Sequence, residues 1–168
     1  MTFDITVDLG ANLDTETDSA ELERLAAATL AAEQVADGAA VAIVLVGDAE
    51  MQALNQQYRG IDGPTDVLAF AAQEGELMVL APDAPRELGD VVISLETARR
   101  QAEALGHSLD AELALLVVHG CLHLVGHDHD EQSAQAYMWL RQAAILAGCG
   151  YPDVGAERPE MYEQAPDA

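Results

Sequence analysis

The sequence predicts an α/β (α+β) fold, a single mixed β-sheet of about four or five strands packed with about five helices. Three observations carry this. At 168 residues the chain has the length of one domain and buries about two thirds of its unfolded surface. Short apolar, β-branched runs alternate with longer helical patterns through the first half, the order expected of strand and helix units on one sheet. Half of the residues are hydrophobic but only 4% are aromatic, so the core is built from Ala, Val, Leu and Ile, and the chain is too apolar for disorder.

Phe3 to Leu9 alternates apolar with polar residues and reads as a first strand. Asp18 with Glu21 three residues on is an Asp version of a capping box, opening a helix that carries Leu22, Leu25 and Leu30. Ala40 to Val46 is continuously apolar, as expected of a strand buried on both faces, and Asp48 after Gly47 caps a helix running to about Tyr58. Gly60 and the Gly63-Pro64 pair then break the chain. Asp66 to Ala71 and Leu88 to Ser94 follow as strands, with a short one at Leu77 to Leu80 between them and a hairpin-like connection through Pro82 and Pro85.

The second half is helical. Ser94 to Leu105 stops at Gly106, Ser108 to about Val125 at Gly126, and Glu131 to Ala147 at Gly148, each glycine being able to take the left-handed conformation. Residues 1–150 form the domain; Tyr151 to Ala168, with three prolines, five acids and no periodicity, is expected to be an acidic tail, frayed or laid on the surface.

Thirty acidic residues stand against seven arginines and no lysine, a formal charge of -23. A general basic surface for nucleic acid is thereby excluded, and DNA is not an expected partner. Cys121 and Cys149 read as reduced thiols used for packing. Acids stand where a signal peptide carries positive charge, and the apolar runs Ala39 to Val46 and Leu113 to Val118 fall short of the ~18 residues of a membrane span. A cytoplasmic protein with no membrane partner is expected.

Four of the five histidines, His119, His123, His127 and His129, fall within eleven residues. On a helix His119 and His123 lie one turn apart on one face, as two ligands of one ion. Gly126 permits a positive φ that ends the helix and returns the chain, so that His129 reaches the same ion. The pattern His-x3-His-x2-Gly-x2-His offers three neutral nitrogens and suits one Zn2+ with a fourth position open, at a helix-turn in the C-terminal half. His127 competes as third ligand, but it follows the glycine directly, where the chain is still turning away. Asp128 and Asp130 are candidates to orient a ring N–H or to cap the next helix.

In zinc proteases with a related motif the residue after the first histidine is a glutamate base; here it is Gly120, which argues against a peptidase. The zinc would activate water alone or with a base elsewhere, or polarise a substrate oxygen. The only cation in the segment Tyr58 to Phe70 is Arg59, either a helix-end arginine interacting with the macrodipole or a clamp for a phosphate.

Tyr58-Arg-Gly-x-Asp-x-Pro-Thr-Asp-Val-Leu-x-Phe70, then Leu88-Gly-Asp-Val-Val-Ile-Ser94, then His119-Gly-x-Leu-His-Leu-x-Gly-x-Asp-His129 resemble the YbeY family of rRNA maturation factors. The resemblance runs from about the second strand to the last helix. It implies that His119, His123 and His129 are zinc ligands and that Arg59 acts in RNA cleavage. It further implies a bacterial, cytoplasmic, zinc-dependent single-strand endoribonuclease in 16S rRNA 3′-end maturation and ribosome quality control. Ala69 and Ala71 depart from the Ser and Pro frequent there, and His127 stands where an aromatic is common. Two other readings are a ribosome-assembly binding factor with a mainly structural zinc and a zinc hydrolase of another substrate. The net charge agrees with an RNA substrate if attraction is confined to the zinc and a few arginines in a cleft, with targeting by a small-subunit protein or an assembly GTPase.

Overall fold

Strand β2, Ala39–Val46, has no polar side chain, and it lies inside the sheet with a strand on either side. The structure, a computed structural model, describes residues 2–10, 17–72, 86–127 and 132–154. Within them one mixed sheet runs in the order β1-β2-β4-β3. Strand β1 (Asp4–Leu9) and strand β4 (Arg86–Ser94) are parallel to β2, and β3 (Val67–Ala71) closes the far edge antiparallel to β4. The short strand expected at Leu77 to Leu80 and most of the connection around Pro82 and Pro85 lie outside the described residues.

Alternation along the strands divides the core in two. Val41, Ile43 and Leu45 of β2 join Val91 and Ile93 of β4 in the larger core, covered by helices α1 (Ser19–Ala32), α3 (Leu95–Leu105), α4 (Leu109–Leu124) and α5 (Gln132–Gly148). Val44, Val46 and Val92 face the other way, where Met51 and Leu54 of α2 (Asp48–Arg59) cover them. Helix α4 is the core helix: every residue from Ala111 to Leu122 is buried, as a helix apolar all round requires. No single helix among the described residues is long and apolar enough to cross a membrane.

Most helix ends follow the local chemistry of the sequence. Asp18 caps α1 by accepting from the Ala20 N–H, Ser94 and Ser108 cap α3 and α4, and Gly106 ends α3 in the left-handed conformation. Three ends differ. The Glu21 carboxylate does not close a capping box; it binds Arg24 and the Tyr151 hydroxyl. Asp48 is the first residue of α2, and its N–H donates to Glu96 Oε1 of α3 at 2.7 Å. The Asp48 carboxylate meanwhile accepts from Ser94 and Thr97 and pairs with Arg100 at 2.7 Å, tying α2 to the end of β4. Helix α5 continues through Gly148, and the positive φ falls at Gly150 instead.

Packed structure carries on past residue 150, the expected edge of the tail. Tyr151 donates to Glu21 Oε2 at 2.6 Å and Val154 is buried in the larger core, so the first four residues of that segment, through Val154, belong to the fold. Burial and the Glu21 carboxylate push the Tyr151 hydroxyl up to about 12, so it stays a neutral donor.

Candidate active site

Helix α4 brings its chemistry to the surface only in its last turns. His119 is 5% exposed and His123 is half-buried, and the four-residue spacing sets their rings edge to face with centroids 4.7 Å apart. The helix ends at Val125, and Gly126 takes φ 106°, the turn expected at that glycine. The third expected ligand, His129, lies outside the described residues, as do Asp128 and Asp130. Among the described residues no three metal-binding groups converge.

Helix α5 supports the histidine pair. Trp139 stacks on the His119 ring, centroids 5.6 Å apart and planes 21° from parallel. Three residues on, the Gln142 side-chain oxygen lies 2.9 Å from His119 Nδ1. A side-chain amide oxygen only accepts, so Nδ1 carries the proton and the donor left to this ring for a metal is Nε2. Two imidazoles one turn apart, the first oriented by an outer partner, form a donor set that suits zinc.

His127 has a different occupation. Its Nε2 lies 2.6 Å from Glu33 Oε1 at the end of α1, and the other Glu33 oxygen binds Arg141 of α5 at 2.7 Å. Burial raises the Glu33 carboxyl, but the bonds from His127 and Arg141 outweigh it and hold the group below the usual carboxylate range. Tyr137 stacks on the His127 ring, 5.4 Å between centroids. The competitor for third ligand is thus engaged in joining α1, α5 and the chain after α4.

Gly120 and Cys121 face inward. A Cβ on Gly120 would stand 2.5 Å from Val91 Cγ1, so α4 lies flush on β4 at this position. Cys121 is fully buried and burial pushes its thiol up to about 12, the inert packing role expected of it.

Arg59, the last residue of α2, is half-buried on the other side of the sheet from α4. The preceding Tyr58 sets its ring against Phe70 of the edge strand, 5.0 Å between centroids. The arginine and the helix that carries the histidine pair therefore lie on opposite faces of the sheet. At the start of that strand Gln101 donates both to Asp66 Oδ2 and to Glu112 Oε2, and His107 completes the cluster on Glu112 at 2.6 Å. Burial pushes the Asp66 carboxyl up to about 6, against the bonds from Gln101 and the Val67 N–H.

Gln142, Trp139 and Glu33 are the site residues that pattern reading missed. The one signal for Gln142 is its place between Met138 and Ile145, a polar residue on an apolar helix face.

Fold and site together define a class: a small single-sheet α/β protein whose buried core helix delivers a His-x3-His pair at its open end. Residues 6–150 match the family described as endoribonuclease YbeY. The chain is 52% identical over 132 residues to endoribonuclease YbeY of Moorella thermoacetica, covering 77% of this chain and 85% of that one. It is 47% identical over 130 residues to the Bacillus licheniformis protein of that name (76% and 82%), and 44% over 153 residues to that of Chloroflexus aurantiacus (90% and 97%). The solution structure of TM1509 from Thermotoga maritima aligns over 96% of both chains with a TM-score of 0.58 and 26% identity. The chain belongs to the YbeY family.

Proposed function

We propose that the protein is a zinc-dependent, single-strand-specific endoribonuclease acting in the cytoplasm in 16S rRNA 3′-end maturation and ribosome quality control. Family membership makes it a nuclease hydrolase with RNA as its substrate. The observation that supports the finer reading is the His119 and His123 pair, rings 4.7 Å apart, with His119 Nδ1 held by Gln142.

His119, His123 and His129 would hold one zinc per chain. When bound, the ion supplies Lewis acidity at the scissile phosphate. Arg59 is the catalytic residue, its guanidinium neutralising charge that develops on the phosphate oxygens as an attacking oxygen, of water or of the substrate 2′-hydroxyl, bonds to phosphorus and the leaving ribose oxygen departs. Trp139 and Gln142 keep the His119 ring from turning, so the site is set before substrate arrives. With a net charge of -23, affinity for free RNA is weak and salt-sensitive, and a small-subunit protein or an assembly GTPase brings the 16S precursor to the site.

The test is zinc content measured together with cleavage of a single-stranded RNA, in the wild type and in His123→Ala. Zinc near one per chain and cleavage in the wild type, both lost in the variant, are expected. A metal-free wild type that cleaves, or a variant that cleaves equally, overturns the proposal.

A further inference from the structure

Gln142 is 3% exposed and lies among the apolar residues by which α5 packs on the core, Met138, Ile145 and Leu146. Burying an amide there costs stability unless it is hydrogen-bonded, and any small apolar side chain would fill an ordinary core position without that cost. Its oxygen is spent on one ring atom, His119 Nδ1, at 2.9 Å. Trp139, one helical turn before it, fixes the plane of the same ring.

We propose that Gln142 is a positioning residue for metal binding: by accepting from Nδ1–H it fixes the tautomer of His119 and dedicates Nε2 to the ion. The inference rests on the zinc reading above. The two constraints are complementary. Stacking on Trp139 sets the ring plane but is blind to a half-turn of the ring, which would exchange the nitrogens' positions for those of the ring carbons. The Gln142 oxygen removes that freedom, because after a half-turn it would face a carbon. A metal-binding imidazole held by an outer acceptor is also a more basic ligand.

The test is zinc affinity by competition with a chromogenic chelator for the wild type, Gln142→Leu and Gln142→Glu, with circular dichroism as the folding control. Nitrogen NMR of His119 in the metal-free protein accompanies it. Gln142→Leu is expected to bind zinc about 10 to 100-fold more weakly, as removal of such partners does. Gln142→Glu, which still accepts from Nδ1–H, is expected to bind at least as tightly as wild type. The NMR spectrum is expected to show the Nδ1–H tautomer in the wild type and a mixture in Gln142→Leu.

Equal affinities in wild type and a folded Gln142→Leu, or an Nε2–H tautomer in the wild type, overturn the inference and leave the zinc reading standing. A wild type that binds no zinc overturns that reading, and the inference with it. If Gln142→Leu does not fold, Gln142→Glu decides, since an affinity weaker than wild type contradicts the role of the acceptor.

Discussion

Gly120 of α4 lies so close to Val91 of β4 that a Cβ on the glycine would meet Cγ1 at 2.5 Å and Cγ2 at 3.1 Å. The missing glutamate after the first histidine therefore has a packing cause: this position faces the sheet, while His119 and His123 face α5 and the helix end. Gly120→Ala gains about 1 kcal/mol of helix propensity and loses about 1–3 kcal/mol to overpacking against a branched side chain, a net destabilisation in a urea melt. In a Val91→Ala background, which lacks the methyl groups that clash, Gly120→Ala should lose most of its destabilising effect relative to Val91→Ala alone. Gly120→Glu, which buries a charge against β4, should not fold to the native state.

Arg59→Ala should leave the fold and the zinc content unchanged and lower cleavage of single-stranded RNA by about 10²–10³-fold, the usual effect of removing one charge-stabilising donor. The expectation of an intact fold follows from its place at the last residue of α2, outside the Met51 and Leu54 contacts that hold this helix to the sheet. Equal cleavage by both proteins would place the activity elsewhere.

The elements that sequence alone located are those whose signal is local. The apolar run of β2, the helix starts at Ser94 and Ser108 and the break at Gly126 are set by residues within one turn of each other, and they fall where they were expected. What pattern reading misplaced depends on pairing between distant segments. Glu96 caps α2 from 48 residues away, and Glu21 spends its carboxylate on Tyr151, 130 residues on. At the site the same division holds. The i and i+4 histidines were legible because one helix carries both, whereas Gln142 reaches His119 from α5 and Glu33 reaches His127 from the end of α1, leaving no spacing to read.

The Asp66 carboxyl, pushed up from 3.8 to about 6 by burial, makes stability depend on pH in a defined sense. Between these values the folded state holds a proton that the unfolded state has released, so the contribution of Asp66 to stability is fully present below pH 3.8 and is lost as pH rises through about 6. Asp66→Asn should remove this component of the slope, leaving an offset from the altered bond to Gln101. Carbon NMR titration of the Asp66 carboxyl with a midpoint near 4 instead of 6 would contradict it.

The bond between Glu33 and His127 separates two roles that share one short segment. Both side chains are about nine-tenths buried, and Arg141 takes the second carboxylate oxygen, so Glu33→Ala strands two donors and should cost about 1–3 kcal/mol. His127→Phe keeps an aromatic ring on Tyr137 and loses only the bond, so it should cost less. The double variant should cost less than the two losses added, because the bond removed by each is the same one. Zinc content then distinguishes anchor from ligand. If His127 anchors the chain after α4 and His129 binds the ion, His127→Phe retains zinc and His129→Ala loses it; the reverse result would make His127 the third ligand.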